Sequence, residues 1–139
     1  MSYKFSERSY RNLQNVRPEL VAVTTLALHY LGRENGPDFV VTDGARNLDE
    51  QRKLIDQGKS QTMDSRHLTG HAIDVAAFDA DYNVTWEAGP YRRIADAFKR
   101  AGETLGTDIE WGGDWQSFID MPHFALTHEQ FPTSKKAKV

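Results

Sequence analysis

Two of the five histidines in this chain of 139 residues fall within the ten residues Ser65 to Asp74, SRHLTGHAID, beside a hydroxyl, an arginine and a carboxylate. Imidazole and carboxylate in one short stretch suggest a metal site, and a third ligand then has to come from elsewhere. The chain has no cysteine, which excludes disulfides, thiolate ligands and a cysteine nucleophile together and narrows the search to His, Asp and Glu. A chain of this length buries roughly two-thirds of the surface that its unfolded form exposes, so it does not need a metal to hold it folded. A metal here is therefore expected to do chemistry.

The third ligand depends on which elements carry these residues. Pro18 opens a helix to about Leu31 with Leu20, Val23, Ala27 and Leu31 on one stripe. Phe39 to Thr42 reads as a strand entering a turn at Asp43-Gly44. Asn47 with Glu50 resembles a capping box, and Leu48, Gln51, Leu54 and Ile55 continue helically to Gly58. In HAIDVAAFD, Ile73, Val75 and Ala77 face a core while Ala72, Asp74 and Ala76 face the other way. A helix opens at Pro90, carries Tyr91, Ile94, Phe98 and Ala101 inward, and stops at Gly102. DIEWGGDW gives a short strand and a glycine-rich turn, and PHFALT a last strand with His123, Ala125 and Thr127 on one face. This mixture without regular βαβ alternation predicts an α+β fold, a small, mostly antiparallel sheet flanked by about three helices. Without repeats or linkers, residues 1–139 read as one catalytic domain, with 132–139 a flexible basic tail.

Two strands thus offer a polar residue flanked by small ones: Asp74 between Ala72 and Ala76, and His123 beside Ala125. With His67 in the loop before the first of these strands, the expected ligand set is His67, Asp74 and His123. Two imidazoles and a carboxylate suit one zinc ion, and three protein ligands leave a fourth position open for catalysis. Asp120, three residues before His123 in DMPH, is the expected general base.

The pattern Ser65-x-His67-x-x-Gly70-x-Ala72-x-Asp74, then Trp111-Gly112-Gly113-Asp114-Trp115, then Asp120-x-Pro122-His123-Phe124 resembles the zinc peptidases of the D-alanyl-D-alanine carboxypeptidase and L-alanyl-D-glutamate peptidase group. The likeness runs from about Leu13 to Phe124 and is nearest to phage endolysins that cut peptidoglycan stems. It implies the fold shared with the hedgehog signalling domain, zinc on His67, Asp74 and His123, and catalysis by Asp120. It also implies that Arg46, in Gly44-Ala45-Arg46, polarises the scissile carbonyl and holds the oxyanion. Ser65 is expected to bind substrate or to steady a ligand. His71 is placed at the substrate rim, since Leu68 stands where a zincin helix has its glutamate. Trp111 and Trp115 either line the groove or pack under the turn.

Composition bounds the rest. A net charge of -3 gives no nucleic-acid footprint, and no run approaches the ~18 apolar residues that a membrane span needs. The first residues lack the apolar core of a secretory signal, so the chain is expected to be made in the host cytoplasm, as a monomer, and to reach the wall through a holin-type pore. The activity that the resemblance implies is hydrolysis of the L-Ala-D-Glu bond of the stem peptide to lyse the wall. The alternatives are a D-Ala-D-Ala carboxypeptidase or dipeptidase, and a non-catalytic wall-binding module.

Overall fold

The computed structural model describes residues 2–58 and 65–132. Among these residues the helices are Glu7–Asn12 (α1), Pro18–Arg33 (α2), Leu48–Asp56 (α3) and Ala88–Leu105 (α4). The strands are Phe39–Asp43 (β1), Ala72–Phe78 (β2), Val84–Thr85 (β3), Ile109–Trp111 (β4) and His123–Leu126 (β5), and two 3-10 turns span Arg66–Thr69 and Gly112–Asp114. The expected basic tail lies, apart from Pro132, outside the described residues. No described helix is long and apolar enough to cross a membrane.

The sheet is antiparallel in the order β1-β2-β5-β4, with β3 pairing to the far end of β2. One face is covered by α2 and α4. The predicted stripe of α2 is fully buried, as are Tyr91, Ile94, Phe98 and Ala101 of α4. They meet Ile73, Val75, Phe124 and Leu126, and the Phe98 and Phe124 rings stack with centroids 4.1 Å apart. Burying each such side chain contributes about 1.5–3 kcal/mol, enough to fix which face of β2 and β5 turns inward.

Three elements depart from the sequence expectation. Helix α4 does not stop at Gly102 but runs three residues further, because that glycine is where the chain doubles back: Thr107 N donates to Gly102 O at 2.8 Å, and a Cβ at Gly102 would lie 2.4 Å from Thr107 O. Helix α1 was not foreseen. It closes the free edge of β1, where Ser9 Oγ accepts from Val41 N at 2.9 Å and Asn12 Nδ2 donates to Val41 O at 2.8 Å. Helix α3 has the Asn47/Glu50 capping box, yet its apolar stripe is not fully buried: Leu48 is 63% exposed and Leu54 and Ile55 are half-buried. Its buried residue is Gln51, for a reason that lies in the site.

Candidate metal and catalytic site

Strand register places Asp74 of β2 directly opposite His123 of β5, and a bulge at the end of β1 sets Asp43 opposite Asp74 on the other side. Directly opposed residues share a face, so Asp43, Asp74 and His123 form a row across three strands. His67 reaches this row from the 3-10 turn Arg66–Thr69. Ser65 caps the turn, its Oγ accepting from His67 N at 3.2 Å. Arg66 fastens it to the end of β5 by donating from Nη2 to Leu126 O at 2.7 Å. The His67 ring lies 2.8 Å through Nδ1 from Gly44 O, and a carbonyl can only accept, so Nδ1 carries the proton and Nε2 presents a lone pair.

That lone pair faces Asp74. His67 Nε2 lies 3.5 Å and His123 Nδ1 3.4 Å from Asp74 Oδ1, and one ligand atom from each residue lies within 4.8 Å of the others. A tetrahedral ion with bonds of about 2.1 Å holds any two ligand atoms about 3.4 Å apart. Asp74 Oδ1 is shielded from solvent and has no hydrogen-bond partner among the described residues. Such an orphaned acceptor between two imidazoles is what a missing cation leaves behind. Burial alone would raise the Asp74 carboxyl, but without a metal His123 and His67, when protonated toward it, outweigh burial and hold the group well below the usual carboxylate range. The residues present fit a metal ion.

Arg46 supplies the other charge. Its Nε donates to Asp43 Oδ2 at 2.7 Å, and Nη2 binds the same oxygen. Nη1 donates to Gln51 Oε1 at 2.9 Å and approaches Ser65 Oγ at 3.5 Å, while Nη2 lies 3.6 Å from Asp74 Oδ2. Gln51 is therefore the buried residue of α3 because it fixes the guanidinium. One oxygen of Asp74 faces the imidazoles and the other faces Arg46.

Asp120 is positioned through its backbone. Its N–H donates to Gly112 O at 3.0 Å, and its carbonyl accepts from His123 N at 3.1 Å, so base and ligand share one turn. A Cβ at Gly112 would lie 2.2 Å from Asp120 O. Gly112→Ala is accordingly expected to displace Asp120, costing about 1–3 kcal/mol of stability and lowering turnover without loss of metal. Thermal unfolding, turnover and metal content measured together check this, and unchanged turnover would contradict it.

Burial and the neighbouring Asp74 charge raise the Asp120 carboxyl above its ordinary 3.8, against the pull of His123, His67 and Arg46. A second negative charge beside Asp74 is disfavoured, so the protonated form gains; a cation on the trio reverses that gain. Carboxyl NMR titration of the metal-free protein is thus expected to place Asp120 above 3.8, and added metal to lower it. An Asp120 that does not respond to metal would place it away from the site.

Two of the expected substrate contacts are buried. Trp111 is 8% exposed and belongs to the core: its Nε1 donates to Met121 O at 2.7 Å, and its ring lies over Phe124 and under Gly113. It packs beneath the glycine turn. His71 is also only 8% exposed, its Nδ1 2.6 Å from Thr69 Oγ1. Strand alternation puts it on the Ile73 side of β2, opposite to Asp74, so it is not at an exposed rim. Trp115 does reach the site, its ring centroid 5.0 Å from that of His123 and its Nε1 donating to Glu110 Oε2 at 2.7 Å.

Residues 1–126 match the family model described as phage L-alanyl-D-glutamate peptidase. The chain belongs to this family. It is 34% identical over 125 residues to the L-alanyl-D-glutamate peptidase of Escherichia phage T5, covering 86% of this chain and 87% of that one. It is 31% identical over 138 residues to the L-alanyl-D-glutamate peptidase of Listeria phage A118, where 99% of this chain spans 47% of the relative, about half its length. Among solved structures, the Serratia marcescens L-Ala D-Glu endopeptidase ChiX superimposes with a TM-score of 0.83 at 44% identity, covering 95% of this chain and 96% of that one. The family's fold is the one expected from the motifs.

Asp43, Gln51 and Glu110 escaped the sequence reading. Asp43 and Gln51 flank Gly44-Ala45-Arg46 so closely that a cation needing partners within five residues on either side was the available signal. Glu110, partnered with Trp115 across a turn, left none.

Proposed function

We propose that this peptidase is zinc-dependent and cuts the L-Ala-D-Glu bond of the peptidoglycan stem peptide, with His67, Asp74 and His123 as zinc ligands and Asp120 and Arg46 as catalytic groups. The observation that carries it is the orphaned Asp74 Oδ1 held 3.4–3.5 Å from two imidazole nitrogens. The names of the relatives support the choice of bond. A zinc ion bound there supplies Lewis acidity toward water and the scissile carbonyl.

The chain's own groups do the rest. Asp120 takes the proton from the attacking water and returns it to the nitrogen of D-Glu as the C–N bond breaks. Arg46, held rigid by Asp43 and Gln51, faces the negative charge that develops on the carbonyl oxygen, a contact worth about 3–4 kcal/mol in the transition state. Ser65 steadies both the His67 turn and Arg46, and Trp115 forms the wall beside His123 on which the stem rests. Action as a monomer, reaching the wall through a pore made by a second protein, belongs to the same reading.

Digestion of purified peptidoglycan followed by mass spectrometry of the new amino terminus tests it. D-Glu is expected. Released D-Ala would move the activity to D-Ala-D-Ala hydrolysis, and no product would leave a binding module.

A further inference from the structure

The segment from Gly112 to Asp120 is a loop with both ends fixed at the site. The Asp120 N to Gly112 O bond closes it, and Trp115 lays its first arm against His123. Its tip is unlike the rest of the surface. Phe118 and Ile119 are 78% and 64% exposed, and Phe118 adopts a left-handed backbone with φ of 52°. A phenylalanine in that region is uncommon, and here an exposed aromatic side chain sits two residues before Asp120 in the loop. The charges at the loop's base are engaged, Asp114 with Lys99 and Glu110 with Trp115. Between Trp115 and Phe118 lie only the neutral, exposed Gln116 and Ser117.

An aromatic face flanked by amide and hydroxyl groups, without charge, is the chemistry that receives a pyranose. Ring C–H bonds meet the electron-rich aromatic face, while neutral donors and acceptors meet hydroxyl and acetamido groups. On the far side of the scissile bond the stem continues through acidic and zwitterionic amino acids, which have no use for a phenyl face. On the near side a single alanine and a lactyl ether separate the bond from an N-acetylated amino sugar. We infer that Phe118 and Ile119, presented by the loop closed at Gly112 and Asp120, form a lip that binds the amino sugar carrying the stem peptide. This rests on the L-Ala-D-Glu reading and adds that the enzyme recognises glycan as well as peptide.

Steady-state kinetics on two substrates test it: a stem peptide still linked to its amino sugar, and the same peptide with an acetyl group in place of the sugar. Phe118→Asn is the first variant, because asparagine tolerates the left-handed backbone; Phe118→Tyr, which keeps the ring, is the second. Phe118→Asn is expected to lower kcat/KM about tenfold on the sugar-linked substrate, mainly through KM, and less than about twofold on the sugar-free one. Phe118→Tyr is expected to retain the wild-type preference. Equal losses on both substrates, or no loss on either, would overturn the lip while leaving the peptidase reading intact. A wild-type enzyme that cuts neither substrate overturns both.

Discussion

Asp120→Asn is expected to lower turnover on the stem peptide by about 10³-fold while the bound metal stays in place. The amide is nearly isosteric with the carboxylate, and the backbone bonds that seat it, Asp120 N to Gly112 O and His123 N to Asp120 O, do not involve the side chain. The fold and the ligand trio should therefore survive, and only the proton transfer is removed. Removing the side-chain charge also relieves its repulsion with Asp74, so thermal stability is expected to hold or rise slightly. Elemental analysis beside the rate measurement separates this from loss of a ligand. A variant with near wild-type turnover would take Asp120 out of the mechanism.

Asp74→Asn is expected to strike the metal as well as the rate, reducing both metal affinity and activity by more than about 10²-fold. Asp74 is the anion of the trio and the residue that joins its parts, with Oδ1 between His67 and His123 and Oδ2 3.6 Å from Arg46. An asparagine that turns its amide nitrogen toward the imidazoles presents a donor where a cation should sit. One that turns it the other way sets the donor against Arg46. Either way the variant loses the charge that balances a divalent ion, and calorimetric zinc titration reads the loss directly. Unchanged affinity would mean that the ion sits elsewhere.

The site was more legible in the sequence than its supports were. His67, Asp74 and His123 are marked by residue type, by small neighbours and by strand alternation, all of them local signals, and the structure brings the three together. The capping box at Asn47 and the buried faces of α2 and α4 were legible for the same reason. What failed to show depends on contacts that residue periodicity does not encode. Ser9 and Asn12 make α1 an edge cover only because Val41, some thirty residues on, needs partners. Gln51 looks like part of an apolar stripe until Arg46 is found against it. Trp111 and Trp115 flank the same glycines, yet one enters the core and the other meets His123. Local pattern could not divide them, because β4 inserts one ring over Phe124 while the turn sends the other across the sheet face.

The account stands or falls on the trio holding one zinc ion. Elemental analysis of the purified protein after exhaustive dialysis, run beside His67→Ala and His71→Ala, tests this most directly. The expected result is close to one zinc per chain for the wild type and for His71→Ala, with none retained by His67→Ala. Zinc lost from His71→Ala or kept by His67→Ala, or a fully active wild-type enzyme without any metal, would contradict it.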